Sequence, residues 1–240
     1  MPQLGRFLEI GLSVPDVLAS LEFYESLGFT QATVGDARNH PYAVVTDGRL
    51  HLGLHGRAFA APALTWVQPE LARHAIELET RGIDLACTRL GEDIFHEIGF
   101  TDPSGQMITL VEARTFSPPA VQPGHMSRLG YFEEYGIPTQ DLQASTTFWD
   151  TLGFVAFDPV RVPFPRVVAM GRDLNVGLYD VDLRAPVLTF SDPQMADRIA
   201  DLRARGCRFV DRLPRGMNPR ENALLEAPEG TWLLLTTGGG

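Results

Sequence analysis

The chain has 240 residues, of which 44% are hydrophobic and 21% are charged. This composition is typical of a globular protein and excludes a disordered, collagen-like or coiled-coil chain. Thirty acidic against twenty basic side chains give a formal net charge of −10. That sign is wrong for a chain that must neutralise phosphates, so we expect neither nucleic acid nor an anionic membrane as a partner.

The cysteine content and the first residues bear on the cellular compartment. Cys87 and Cys207 are the only cysteines, so no disulfide framework is expected, and we interpret both as core thiols. The segment MPQLGRFLEIGL has neither the basic nor the uninterrupted apolar region of a signal peptide. No apolar stretch approaches the ~20 residues that a membrane-spanning helix needs. We therefore predict a reduced, cytoplasmic protein.

The chain contains an internal repeat. Residues 9–29 match residues 134–154 at many positions in the same order, and both segments end in LGF. The motif APALT at 61–65 returns as APVLT at 185–189. Self-similarity of this order predicts two modules with the same fold.

The repeat also predicts the domain organisation. The first module is expected at residues 1–114 and the second at 128–240. Between them, TFSPPAVQPGHMS at 115–127 is rich in proline and small polar residues, which favours a linker. The sequence leaves open whether the two modules pair within one chain or across a homodimer.

Both modules are predicted to contain the same elements in the same order. In the first, FLEIGLSV alternates as a strand does, and the stretch from Asp16 to Gly28 has apolar residues at helical spacing. A second helix has Leu71, Ala75 and Leu78 on its apolar face. The remaining strands are predicted near 30–34, 42–46, 50–55, 63–67, 86–90, 95–100 and 107–112. Each module therefore holds two βαβββ units, and the chain holds four.

Two motifs resemble those of the vicinal oxygen chelate superfamily, which includes glyoxalase I, bleomycin-resistance proteins and extradiol dioxygenases. The first module carries EIGLSVPDVLASLEFYESLGF and TDPSGQMITL, and the second carries EYGIPTQDLQASTTFWDTLGF and APEGTWLLL. The resemblance covers nearly the whole chain. It implies an α+β fold in which the four βαβββ units form curved half-barrel sheets with the helices outside. The fold hosts many unrelated activities, so it does not by itself give a function.

Strand alternation predicts which side chains face the cleft of each sheet, because the apolar set must cover the helices. In the first module the cleft-facing sets are predicted to be Glu9, Gly11 and Ser13, then His51, Gly53 and His55, then Met107, Thr109 and Val111. In the second they are Glu134, Gly136 and Pro138, then Asn175, Gly177 and Tyr179, then Trp232, Leu234 and Thr236. His40 and His74 are interpreted as surface residues.

The resemblance implies metal ligands at four strand positions in catalytic members. At these positions the first module offers Glu9, His51, an apolar residue near Ala63, and Thr109. The second offers Glu134, Asn175, an apolar residue near Val187, and Leu234. Neither module has the glutamate that the superfamily places in the last strand. The metal-ligand set is therefore degenerate, with Glu9 and His51 as the only candidate ligands.

Two functions remain open on this basis. In the first, the protein binds a small organic molecule without metal, with His55, Thr109, Glu134, Asn175, Tyr179 and Trp232 as ligand-binding residues. In the second, it is a glyoxalase-type or dioxygenase-type enzyme in which Glu9 and His51 act on a substrate around Fe, Mn, Ni, Co or Zn. A metal-free variant would use Glu9 as the base and His51 or His55 as the acid. The second module could also be purely structural.

Overall fold

The computed structural model describes residues 4–33, 39–118, 122 and 124–238. The first half forms, in chain order, β1 Arg6–Ser13, α1 Val17–Ser26, β2 Thr30–Gln31, β3 Tyr42–Thr46, β4 His51–His55, β5 Ala63–Val67, α2 Leu71–Thr80, β6 Cys87–Arg89, β7 Glu97–Thr101 and β8 Met107–Val111. The second half forms β9 Tyr131–Pro138, α3 Leu142–Thr151, β10 Val155–Ala156, β11 Arg166–Met170, β12 Asn175–Tyr179, β13 Val187–Ser191, α4 Met195–Ala204, β14 Phe209–Val210, β15 Ala223–Glu226 and β16 Trp232–Thr236. Each half therefore contains two βαβββ units, as predicted from the sequence.

Each half forms one open sheet of eight strands. The strand order is β2-β3-β4-β1-β5-β8-β7-β6 in the first sheet and β10-β11-β12-β9-β13-β16-β15-β14 in the second. The two units of a sheet meet through an antiparallel pair, β1 with β5 and β9 with β13. Within a unit the first strand pairs in parallel with the last, as β1 does with β4, and a parallel pair needs a crossover connection. The helices of these crossovers cover one face of each sheet, and we call the opposite face the inner face.

Local sequence explains where α1 and α3 begin and end. The Asp16 carboxylate accepts two first-turn backbone N–H groups of α1 at 3.0 and 3.1 Å, and Asp141 accepts one from α3 at 2.9 Å. Just past these helices, Gly28 and Gly153 have φ angles of +89° and +88°, which favour glycine. None of the described helices, each 10 residues long, could cross a membrane.

One apolar core joins the two halves. The helix-facing side chains of both sheets and the buried faces of all four described helices contribute to it. Trp149 Nε1 of α3 donates to Asp102 at 3.3 Å, and the Tyr24 hydroxyl of α1 donates to Glu229 at 2.6 Å. Each of these hydrogen bonds joins a helix of one half to the turn before the last strand of the other half. The two halves therefore pack against each other within one chain.

The structure corrects the interpretations of His74 and Cys87. His74, expected on the surface, is only 5% exposed, because α2 turns it to the same face as Leu71 and Leu78. Cys87, expected in the core, is exposed, because β6 is an edge strand whose residues are all exposed. Cys207 is partly exposed. Part of the predicted linker and residue 34 of a predicted strand lie outside the described residues.

Candidate functional site

A row of polar side chains crosses the inner face of the first sheet on four neighbouring strands. Glu9 on β1 pairs with Thr65 on β5, and Thr65 pairs with Thr109 on β8. The parallel register of β1 and β4 places His51 on the other side of Glu9. The sequence put an apolar residue near Ala63 at the fifth-strand position, but the observed register brings Thr65 into the row instead. Glu9, His51 and Thr109 lie on the inner face as predicted.

Glu9 is a buried carboxylate with a hydrogen bond to each of its oxygens. Glu9 is only 3% exposed to solvent. The Tyr42 hydroxyl donates to Oε2 at 2.5 Å, and His55 Nε2 lies 2.9 Å from Oε1. The burial of a carboxylate is tolerated when its oxygens are paired in this way. Tyr42 and His55 therefore hold Glu9 in a fixed position.

His55 links Glu9 to a second histidine. His55 Nδ1 lies 3.0 Å from Nε2 of His40, and His40 Nδ1 lies 3.0 Å from Oδ1 of Asn39. Which nitrogen donates and which accepts along this chain depends on the tautomers of the two rings. His40, expected on the surface, is partly buried.

The glycine in the middle of β4 makes room for this carboxylate. A Cβ atom at Gly53 would lie 2.3 Å from Glu9 Oε2. Real Cβ contacts are never that short, so any side chain at this position would displace Glu9. The close approach of a side chain across the sheet is therefore the reason for a glycine at this position.

His51 lies beside Glu9 in the row, but the described residues contain no hydrogen bond between them. Its ring is partly exposed on the inner face. Burial lowers the pKa of His51 below 6.5, against the opposing effect of the Asp47 and Glu9 carboxylates. A neutral imidazole can donate from one nitrogen and accept at the other. His51 is therefore available to a ligand in the cleft.

The corresponding glutamate of the second module has different partners. Glu134 is 4% exposed, and its Oε1 accepts a hydrogen bond from the Tyr179 hydroxyl at 2.6 Å. That hydroxyl also lies 2.9 Å from the Thr189 hydroxyl, and an Arg166 nitrogen lies 3.8 Å from Glu134 Oε1. Burial raises the pKa of Glu134, although Tyr179 and Arg166 oppose the shift. Tyr179 itself is 0% exposed.

Much of the second cleft is filled by the protein's own side chains. Tyr179 lies over two glycines, because Cβ atoms at Gly136 and Gly177 would come within 2.3 and 2.4 Å of its ring. The ring packs with a separate buried apolar cluster, against which the partly exposed Trp232 lies. Asn175 is also partly exposed, and its amide nitrogen lies 3.5 Å from a backbone oxygen. Of the four second-module residues predicted to bind a ligand, Asn175 and Trp232 are the more accessible.

Several residues of the two clefts were missed by the sequence analysis. Tyr42 pairs with His55 across β3 and β4, and Arg166 pairs with Tyr179 across β11 and β12. A strand period of two would have placed Tyr42 and Arg166 on the inner face once the register of these hairpins was known. No periodic signal marks His40, because it lies in the loop before β3.

The donor arrangement does not fit a catalytic divalent metal ion. Such a site needs about three protein ligands and an open position. Both oxygens of Glu9 already have hydrogen-bond partners, and the second nitrogen of His55 faces His40. Nowhere in the described part of the chain do three or more His, Cys, Asp or Glu side chains come together as a metal site requires. Glu9 and His51 alone would bind a metal ion weakly.

The chain matches no family model and no curated protein sequence, whereas its structure is similar to solved extradiol dioxygenases. For 2,2',3-trihydroxybiphenyl 1,2-dioxygenase from Sphingomonas wittichii strain RW1, the TM-score is 0.60 at 17% identity, covering 99% of this chain and 91% of that one. For an extradiol ring-cleaving dioxygenase from B. fuscum, the TM-score is 0.63 at 15% identity, covering 100% and 73%. For a catechol 2,3-dioxygenase, it is 0.60 at 17% identity, covering 96% and 86%.

These similarities define the fold of the chain. Extradiol dioxygenases belong to the vicinal oxygen chelate superfamily, and the present chain has the tandem fold of that superfamily. The fold that the two repeated motifs imply is thus confirmed. At 15–17% identity the similarity extends to the fold alone, so the function must be argued from the side chains of this protein.

Proposed function

We propose that the protein binds a small, hydroxyl-bearing organic molecule in the cleft of its first module, and that binding needs no metal ion. The observation that carries the proposal concerns Glu9, which stands where catalytic relatives place a metal ligand. Both of its oxygens are hydrogen-bonded to Tyr42 and His55, so a metal ion would have to compete with these two partners for Glu9. Tyr42 and His55 act as positioning residues in this account.

The chemistry of the row supports a hydroxylated ligand. His51, Thr65 and Thr109 are partly exposed on the inner face and can each donate and accept a hydrogen bond. A ligand hydroxyl has the same two capacities, so it can satisfy any of the three side chains. The names of two structural neighbours, a catechol dioxygenase and a trihydroxybiphenyl dioxygenase, also refer to hydroxylated aromatic rings. Catechol is therefore the first probe.

Calorimetric titration with catechol, with and without EDTA, tests the proposal. We expect binding that is unchanged by EDTA and weakened about tenfold by Thr109→Val, because the variant removes one buried hydrogen bond and keeps the side-chain shape. Thr101→Val, at the exposed end of β7, is the matched control and should leave the affinity unchanged.

Two outcomes contradict the proposal. The first is the absence of catechol binding, or equal affinity in the wild type and Thr109→Val. The second is binding that disappears with EDTA. If EDTA also abolished oxygen consumption in the presence of catechol, the metal-dependent enzyme would be the better account, and Glu9→Gln and His51→Ala should then lose the metal.

A further inference from the structure

A cavity of about 350 Å³ lies on the inner face of the second module. Its walls include the apolar side chains of Val160, Phe164, Met217 and Leu234 and several polar ones, among them Asn218 and Asn222. The cationic side chain of Arg166 and the carboxylate of the exposed Glu221 also line the cavity. A volume of this size, lined by both apolar and polar side chains, lies in the range of small-molecule sites.

The Arg166 guanidinium lacks hydrogen-bond acceptors. Only 14% of its side chain is exposed, and its Nε is buried with no partner. Among the described residues, no side-chain nitrogen of Arg166 donates a hydrogen bond, although a guanidinium has five N–H donors. Buried donors in proteins are nearly always paired. Arg166 Nε is therefore a buried donor that the described residues leave unpaired.

Glu134 does not supply that acceptor. Its Oε1 is 3.8 Å from the nearest Arg166 nitrogen, which is beyond hydrogen-bond distance, and the same oxygen already accepts from Tyr179 at 2.6 Å. Burial also raises the pKa of Glu134, so its charge is disfavoured where it lies. The fixed carboxylate near the cavity therefore leaves Arg166 unsatisfied.

The first module shows that the fold does not require an arginine at this position. Tyr42 occupies the equivalent place opposite His55 and completes the hydrogen bonds of Glu9. In the second module Tyr179 makes that hydrogen bond to Glu134, and Arg166 opposes the rise of the Glu134 pKa through its charge without hydrogen-bonding the carboxylate. The hydrogen-bond donors of Arg166 therefore remain available to a molecule in the cavity.

We infer that the second module binds a small organic carboxylate with a flat apolar body, and that Arg166 pairs with the carboxylate group. An arginine forms two parallel hydrogen bonds with a carboxylate, which gives both strength and orientation. The Phe164 ring, whose centroid is 6.0 Å from the Arg166 guanidinium carbon, together with Met217 and Leu234, would contact the apolar body. This site is separate from the hydroxyl-binding cleft proposed for the first module.

Calorimetric titration of the full chain with benzoate, phenylacetate and cinnamate tests the inference, with the corresponding neutral amides as matched ligands. We expect at least one acid to bind, its amide to bind at least about tenfold more weakly, and Arg166→Gln to weaken the acid by about tenfold or more. Arg172→Gln, an exposed arginine between β11 and β12, is the control and should change the affinity by less than about twofold. Catechol binding by the first module should be the same in both variants.

A second variant tests the inference even if Arg166→Gln fails to fold. Met217→Trp narrows the cavity, leaves Arg166 in place and should also weaken the acid. The inference is wrong if none of the three acids binds, if acid and amide bind equally, or if the acid binds equally to the wild type and to Met217→Trp. Unchanged acid affinity in a folded Arg166→Gln protein would overturn it as well.

Discussion

Tyr42 and Arg166 occupy the same cross-strand position in the two modules, Tyr42 opposite His55 and Arg166 opposite Tyr179. In each pair the second residue hydrogen-bonds the cleft glutamate of its own module. Tyr42 also donates to its glutamate at 2.5 Å, whereas Arg166 stays 3.8 Å away from the other one. The same backbone therefore supports one cleft in which both carboxylate oxygens are hydrogen-bonded and another in which an arginine lies near the carboxylate with its Nε unpaired.

Removal of the Tyr42 hydroxyl should destabilise the protein. Tyr42→Phe leaves Oε2 of the buried Glu9 without its 2.5 Å donor, and an unpaired buried acceptor costs about 1–3 kcal/mol. Urea unfolding measures this loss. Tyr131→Phe removes a hydroxyl from an exposed tyrosine and should stay within about 0.5 kcal/mol of the wild type. Equal stability of Tyr42→Phe and the wild type would disprove the role given to Tyr42.

Gly53 should tolerate alanine poorly, in contrast to another glycine on the inner face of the same sheet. The new methyl group of Gly53→Ala would meet Glu9 Oε2 at 2.3 Å and displace the carboxylate, at a cost of about 1–3 kcal/mol. At Gly99 the nearest atoms to an added Cβ lie 3.6 Å away, which is an ordinary contact. Thermal unfolding of Gly53→Ala and Gly99→Ala should therefore differ clearly. Similar melting temperatures would contradict the account.

The two halves should unfold together. They share one apolar core, and the Tyr24 hydroxyl bonds Glu229 of the other half at 2.6 Å. Tyr24→Phe should lower the free energy of unfolding by about 1–2 kcal/mol and keep a single transition, because the core remains shared. Circular dichroism and tryptophan fluorescence followed on one urea series provide the measurement. Two separated transitions in the wild type would rule out a common core.

Stability should depend on pH through His51. Burial lowers its pKa in the folded state, with Asp47 and Glu9 opposing the shift, so the unfolded chain binds the proton more readily. The free energy of unfolding therefore rises with pH below 6.5 and levels off above that value. The contribution of neutral His51 to stability is lost as the pH falls towards its folded-state pKa. In unfolding experiments from about pH 5 to about pH 7, His51→Gln should show a smaller rise than the wild type. His125→Gln is the control, and an unchanged slope in His51→Gln would refute the prediction.

Alternation along the strands predicted one part of the site. Because one face of each sheet must bury its apolar residues, Glu9, His51, His55 and Thr109 could be assigned to the inner face before any contact was known. The repeated motifs similarly predicted four βαβββ units. These are local properties of the sequence, and the fold preserves them.

The remaining parts depend on register and shape, which the sequence does not show. Thr65 joins the polar row only because β1 and β5 pair with Glu9 opposite Thr65. His40 reaches His55 from a loop, where no periodicity indicates direction. Tyr179 was expected to line a cleft, but it is fully buried, because the two glycines beneath its ring leave space for it. Side-chain partners of this kind arise from packing between segments distant in sequence.

Metal analysis tests the central claim, that Glu9 is a hydrogen-bonded carboxylate of a metal-independent cleft, most directly. The protein would be produced without a tag in medium supplemented with Fe, Mn, Ni, Co and Zn, desalted without chelator and analysed by plasma mass spectrometry, beside Glu9→Gln. The account predicts fewer than about one ion per ten chains in both proteins, because fewer than three ligands converge in the described residues. Near one ion per chain in the wild type, lost in Glu9→Gln, would contradict it.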